Sequence, residues 1–211
     1  MMRLLAYFFL LVGFVLIIQV VWPVLSFKLW EITLAKEDVF LVSPQQGFEE
    51  VKGVSVQATK ENFPRFVSTL KRQTPVSFEQ FSLSIPSLKT NQETVFVDNN
   101  DLSLGLIHLP GTALPGEKGN LFISGHSALP ILAKGGKAIF SNLQNIKKGD
   151  PIQVRVEGSQ FVYKVVSIKI VDPKDVSVIL PPDEQGRYIT LMTCVPPGLN
   201  TKRLVVLGKL L

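Results

Sequence analysis

Hydrophobic and polar positions fall into three textures along the chain. The first is continuous: Leu4–Leu25 reads LLAYFFLLVGFVLIIQVVWPVL, with no charge and with Gln19 as the strongly polar exception. About 20 apolar residues at 1.5 Å rise per residue span a bilayer core. Tyr7 and Trp22 sit near the two ends, where amphipathic rings favour the membrane interface. A cleaved leader would carry an apolar core of about 7–15 residues and a small-x-small site after it. This run is longer and no such site follows, so the pattern predicts an uncleaved transmembrane helix within residues 1–25. Arg3 favours a cytoplasmic amino terminus, although Lys28 lies beyond the other end. No second spanning run follows, which places the rest of the chain on one side.

The second texture covers residues 26–77, where charges, Gln, Pro and short apolar groups mix without a sustained period. It reads as a stalk or linker. Within it, Phe63, Phe66, Val67 and Leu70 are spaced like one helix face, and Pro64 suits the first turn of such a helix. That face would either pack on the main domain or belong to a mobile segment.

From about Phe78 the third texture begins, with short runs of alternation and frequent turn signals. Phe81, Leu83 and Ile85 alternate with Ser82 and Ser84, and Ile152, Val154 and Val156 alternate with Gln153, Arg155 and Glu157. Alternation of period two means a strand with one buried face. Glu157-Gly158-Ser159 suits a hairpin turn before a strand over 161–170, and the phase slip at Val165-Val166 predicts a bulge or burial on both faces. Further strands are predicted at 121–124, 188–193 and 203–207. Short helices are predicted from the Asp101 cap to Leu106 and over 140–146. Many short strands separated by turns indicate a mainly β domain, a barrel or sandwich, over 78–211.

Composition narrows the function classes. Hydrophobic residues make up 46% of the 211-residue chain and charged residues 18%, which excludes a wholly disordered chain. The net charge of +5 is mild, and no run of Lys and Arg exceeds two, so nucleic acid is not an expected partner. Cys194 is the single cysteine. It excludes an internal disulfide framework and a multi-cysteine zinc site. Glu49-Glu50 and Asp183-Glu184 read as solvated surface pairs. Neither a metal nor a cofactor is expected.

The candidate chemistry lies at three strand ends. ITLMTC carries a strand into Cys194, a VPPGLNTK loop follows, and Arg203 opens the next strand. Upstream, LFISGH sets His126 just past another apolar strand. A thiolate is a strong nucleophile toward an acyl carbon. A histidine can protonate a leaving amine and deprotonate an incoming one. An arginine keeps its charge and offers five donors to an oxygen becoming anionic. Singly, each residue has an ordinary reading: a small core thiol, a structural His, a solvated edge Arg. Their grouping points to cysteine acyl transfer. The order His, Cys, Arg departs from papain-like proteases, in which Cys precedes His.

SGH and TLMTC, with an Arg nine residues after the Cys, resemble the sortases, the membrane-anchored cysteine transpeptidases of bacterial surfaces. HLPGTALPGEKGNLFISGH is similar to that family's approach to its catalytic His, and the likeness covers about Phe78 to Leu211. The resemblance implies an eight-stranded β-barrel with short helices, preceded by one N-terminal transmembrane helix. It implies Cys194 as nucleophile, His126 as acid and base, and Arg203 as substrate-holding or oxyanion-stabilising residue. It also implies an LPxTG-like sorting signal on surface proteins as acyl donor and a peptidoglycan precursor or pilin lysine as amine acceptor. The barrel would lie outside a bacterial membrane, held in lipid through residues 4–25. The loop after Cys194 is most like the class C, pilin-polymerising pattern. The Asp-Pro-aromatic lid of those enzymes does not occur in 26–77, and the class stays unassigned. Thr193 is either a substrate-groove residue or an ordinary β-branched strand residue. His108 is either a supporting substrate-binding residue or a hydrogen-bonded loop His. Leu109-Pro110-Gly111-Thr112-Ala113 is similar to a sorting signal but lies mid-chain, and reads as a turn. The alternative function is a membrane-tethered binding module on the same barrel, without catalysis.

Overall fold

The computed structural model describes residues 2–36, 51–58, 64–71, 76–128, 138–197 and 201–211. The chain forms two compact units, Met1–Phe40 and Leu41–Leu211. In the first, helix α1 runs Met2–Lys36. Most of its described apolar side chains are exposed, with Phe8, Phe9, Leu10 and Leu11 each at least 60% accessible. Among the described residues no helix is long and apolar enough to cross a membrane. The side chains of Leu4, Leu5, Val20, Pro23 and Val24, within the expected span, lie outside the described residues.

The second unit is built from ten strands: β1 (Val54–Ala58), β2 (Pro64–Ser68), β3 (Gln80–Ile85), β4 (Thr90–Phe96), β5 (Leu106–His108), β6 (Gly119–Ser124), β7 (Pro151–Val156), β8 (Ser159–Val171), β9 (Arg187–Val195) and β10 (Lys202–Leu210). Eight of them close a barrel in the order β10-β8-β7-β3-β4-β5-β6-β9. Neighbours are antiparallel except β4–β5 and β6–β9, which are parallel. The alternation read in the sequence fills the barrel. Leu83, Ile85, Leu121, Ile123, Ile152, Val154, Ile189, Leu191, Leu204 and Val206 have no accessible surface.

Local signals produce the expected connections. Glu157 and Gly158 both adopt positive φ, 45° and 84°, the primed-turn geometry that joins β7 to β8 with the strands' own twist. The phase slip in β8 is a bulge: the register with β10 shifts so that Leu207 faces Ser167 while Gly208 faces Val165, leaving Val166 unpaired. Asp101 caps a short 3-10 turn, Leu102–Leu104, by accepting from Ser103 N. The helix expected over 140–146 is a 3-10 turn at Ile139–Asn145.

One element differs from the sequence pattern. The helix face expected from Phe66, Val67 and Leu70 is instead strand β2, paired with β1 as an antiparallel hairpin; Phe63 lies outside the described residues. Phe66 and Ser68 are buried while Arg65 and Val67 are half-exposed, so the period that counts is two. Packing decides it. Phe66 closes a cluster with Leu109, Phe122, Val171, Val176, Ile179, Met192 and Val205 on the outside of the barrel. Its ring centroid lies 6.0 Å from that of Phe122. Strands β4 and β5 were not legible in the pattern. Most of β4 is polar, with Val95 its buried residue, and β5 is three residues long and buried on both faces.

Candidate active site

Two of the candidate residues, Cys194 and Arg203, lie on β9 and β10, and the third, His126, lies just past the end of β6. In the antiparallel β9–β10 pair Cys194 lies directly opposite Arg203. Directly opposed residues share a face, with Cβ atoms about 4.5–5.5 Å apart. Lys202 faces Val195 instead and so belongs to the opposite face. On the other side of β9 runs β6, parallel to it, with Ser124 beside Met192. Two residues further along both strands, His126 comes abreast of Cys194. The cysteine therefore stands on the middle strand, with Arg203 on one flank and His126 on the other.

The regular β6–β9 ladder ends at Ser124, and three further bonds carry the alignment to His126. Gly125 N donates to Met192 O at 3.1 Å. Thr193 Oγ1 donates to Gly125 O at 2.8 Å, and Ser127 Oγ donates to the backbone carbonyl of Cys194. Gly125 is required sterically, because a Cβ there would lie 2.5 Å from Leu106 Cδ2 and 2.8 Å from Phe140 Cδ2. From the far side, Phe140 N donates to His126 O at 3.2 Å.

The environments of the three side chains differ. His126 is exposed and Cys194 half-buried, while Arg203 is 1% accessible. The Arg203 guanidinium donates to Lys202 O at 3.1 Å. Burial pushes the Cys194 thiol above the ordinary range, and the Arg203 charge pulls partly the other way. A buried guanidinium beside a thiol whose other flank is an accessible imidazole can stabilise an anion and exchange protons at one acyl carbon.

The two further candidates sit elsewhere. Thr193 is 2% accessible and lies on the inward face with Ile189 and Leu191, its hydroxyl spent on Gly125 O. His108 is fully buried on β5, opposite Ile123, about three residues along the ladder from His126. Its Nδ1 accepts from Asp98 N at 3.2 Å, and its Nε2 lies 2.8 Å from Thr112 Oγ1 and 3.1 Å from Ala113 O. Asp98 Oδ1 also lies 3.3 Å from Nδ1. The register sets Arg203 opposite Cys194 and runs the segment leading to His126 along the other side of β9, while His108 lies inside the neighbouring turn. That turn holds the LPGTA sequence: Gly111 has φ 79°, Thr112 Oγ1 donates to Leu109 O, and Leu109 is buried.

The outer face continues away from Cys194 as successive rows. Lys169, Val205, Met192 and Ser124 form the next, and Ser167, Leu207, Thr190 and Phe122 the one after. A groove of about 390 Å³ runs over the β8–β10 side, lined by Lys169, Val171, Val178, Thr190, Val205 and Leu207. The sequence held a signal for these rows, since residues two before Cys194 and two after Arg203 share their face. Nothing in the sequence marked Ser127, whose role depends on the neighbouring strand.

The sortase domain model matches residues 83–211. Sortase D of Bacillus subtilis is 32% identical over 133 residues, covering 60% of this chain and 61% of that protein. Sortase SrtE1 of Streptomyces coelicolor is 37% identical over 107 residues, covering 47% of this chain and 29% of that protein. The chain thus spans about three fifths or less of the length of these curated relatives. Among solved structures, a lid mutant of sortase A from Corynebacterium diphtheriae superposes with a TM-score of 0.56 at 34% identity, covering 66% of this chain and 73% of that one. The pilus-related sortase C of Group B Streptococcus gives 0.56 at 34%, covering 65% and 69%. With the domain model matched over well more than half its length and the barrel closed in the same fold, the chain belongs to the sortase family.

Proposed function

We propose that this chain is a membrane-anchored cysteine transpeptidase that cleaves an LPxTG-like sorting signal and joins the acyl part to an amine. The observation that carries the reading is the register: Arg203 opposite Cys194, and the strand leading to His126 on the other flank. The Cys194 thiolate attacks the carbonyl carbon of the Thr in the signal. The tetrahedral oxyanion takes donors from Arg203. The C–N bond breaks as His126 gives its proton to the departing amine, leaving a thioester on Cys194. An acceptor amine then attacks the thioester, His126 takes its proton, and the Cys194 sulfur leaves as the thiolate. Ser127 and Thr193 hold the two strands in register while this happens.

Residues 78–211 carry the chemistry in this reading, and 26–77 link them to an anchor. The anchor is the uncharged Leu4–Leu25 run, within a helix most of whose described apolar side chains are exposed, a distribution that suits lipid. Sortases are membrane-associated cell-wall enzymes, and the barrel is read as extracytoplasmic on a single pass. The acceptor is a peptidoglycan cross-bridge amine or a pilin lysine. The pilus-related neighbours and the VPPGLNTK loop support the second, and the curated relatives named sortase A or D leave the first in place.

The test is cleavage of a Leu-Pro-x-Thr-Gly peptide library with and without an added amine. Native chain should release the C-terminal fragment and carry a thioester mass on Cys194. Cys194→Ala should fold and cleave nothing. Turnover in that variant, or binding without cleavage by native chain, overturns the reading.

A further inference from the structure

Among the described residues lining the β8–β10 groove, Lys169 is the one cation. It stands on β8 directly opposite Val205, one row from the pair Val171–Arg203, and is half-buried. The floor around it is apolar, with Val171, Val205 and Leu207, and the facing wall is Val178, Leu180 and two prolines, Pro181 and Pro182. Among the described residues no hydrogen bond or ion pair engages the Lys169 ammonium. The groove's one described carboxylate, Asp175, is committed to the wall. Its Oδ1 accepts from Ser177 N at 3.1 Å and from Ser177 Oγ at 2.5 Å, capping the 3-10 turn Val176–Ile179.

We propose that Lys169 selects the acyl donor by pairing with a carboxylate at the variable position of the sorting signal, so that the preferred substrate class is Leu-Pro-acidic-Thr-Gly. The inference rests on the transpeptidase reading above. Lys169 lies two strands across from Cys194, in the order β8-β10-β9, and one row along. At about 4.8 Å between strands and 3.3 Å per residue, the offset is about 10 Å by 7 Å, or about 12 Å. The residue before the scissile Thr covers it with one backbone step and an Asp or Glu arm, met by the flexible four-carbon stem of the lysine. Leu and Pro, further from the bond, find apolar partners in the same groove. Arg203 belongs to the cysteine row and serves the scissile carbonyl, which leaves Lys169 for the side chain.

The groove is built to hold this arrangement. Asn120, 3% accessible, donates through Nδ2 to Ile179 O at 2.9 Å and accepts at Oδ1 from Thr190 Oγ1 at 2.9 Å. The wall turn is thereby fastened to β6 and β9, and Thr190 itself lines the groove. A pinned wall keeps its distance from the floor, so a peptide lying between them presents its side chains at set heights. Half-burial has removed part of the water around Lys169 and no side chain of the protein replaces it. A substrate carboxylate supplies the missing partner, whereas a substrate lysine would meet a like charge across the same narrow groove. Asp175 weakens the attraction but does not cancel it, since its charge is spread into the cap of the turn.

The experiment reads affinity apart from chemistry. Fluorescein-labelled Leu-Pro-Glu-Thr-Gly, Leu-Pro-Gln-Thr-Gly and Leu-Pro-Lys-Thr-Gly are titrated into full-length Cys194→Ala chain, alone and with Lys169→Met or Lys169→Glu added. Gln matches Glu in shape, so their ratio isolates the charge. The Glu peptide should bind about fivefold tighter than the Gln peptide, the upper range for a pair that is not fully buried, and the Lys peptide weakest. Lys169→Met should bring Glu and Gln level, and Lys169→Glu should put the Lys peptide first. Salt supplies a reading that needs no variant at Lys169: raising NaCl from 50 to 500 mM should shrink the Glu preference. Equal Kd for Glu and Gln, a Glu preference that survives Lys169→Met or high salt, or no binding of any peptide overturns the proposal. Cleavage of the same peptides by native chain separates the two readings. Peptides cut without regard to charge defeat this inference alone, and a Lys169-dependent Glu preference in binding without cleavage defeats the transpeptidase reading alone.

Discussion

Replacing Arg203 separates a directed donor from a general positive charge. Arg203 faces Cys194 across the β9–β10 ladder and is 1% accessible, so water cannot supply the donor that a substitution removes. Loss of one preorganised donor to an oxyanion costs about 10²–10³ in rate, about 2.7–4 kcal/mol. Arg203→Ala loses the charge as well and should fall at the upper end, about 10³ in kcat/KM. Arg203→Lys keeps the charge but replaces a planar fork with a point donor, and should lose about 10–100-fold. Lys202, facing Val195 on the opposite face, should tolerate Ala within a few-fold. The assay is steady-state cleavage of one sorting-signal peptide by the three variants, with thermal melting to confirm equal folded fractions. A second readout is the pH dependence of Cys194 alkylation. The Arg203 cation opposes the upward push of burial on the thiol, so Arg203→Ala should move the alkylation midpoint to higher pH and Lys202→Ala should not. Equal losses at 202 and 203, or losses that track the unfolded fraction, would refute the role given to Arg203.

In the native chain, burial raises the folded Cys194 pKa above its unfolded value, so at neutral pH the folded thiol should react with iodoacetamide more slowly than the same cysteine in urea-unfolded chain, and the folded rate should climb as pH passes the ordinary thiol range. A faster folded rate at neutral pH would contradict the dominance of burial. Ser127 donates to Cys194 O beyond the end of the regular ladder; Ser127→Ala should lower kcat about tenfold with KM within twofold, and Ser127→Thr should recover most of it, because the hydroxyl acts on strand alignment. A KM effect without a kcat effect would assign Ser127 to binding.

What the sequence by itself determined was local. Strict alternation placed β3 and β7, because period two is dictated by the pleat; short apolar runs between turn signals placed β9 and β10, and the slip at Val165-Val166 marked the bulge. Glu157-Gly158 fixed its own turn, since glycine and a tolerated left-handed residue are what that turn requires. Cys194 and Arg203 could be paired from sequence, being the ends of neighbouring strands joined by a short loop. The sequence left Thr193 open between the groove and an ordinary strand position, and its burial and bond to Gly125 O place it in the strand. Tertiary structure decided the contacts between distant segments. The segment leading to His126 is aligned beside the one leading to Cys194 by a parallel β6–β9 pairing, with a separation of 68 residues between Gly125 and Thr193, which no local period encodes. Phe66, Val67 and Leu70 carry a helical spacing, yet Phe66 and Ser68 also satisfy a strand. The chain takes the strand because Phe122, Met192 and Val205 bury one face of a hairpin. Strand β4, mostly polar, forms because its neighbours in a closed barrel supply the backbone partners its own side chains do not call for. Closure of the barrel set three strand ends, dispersed in the chain, on neighbouring strands.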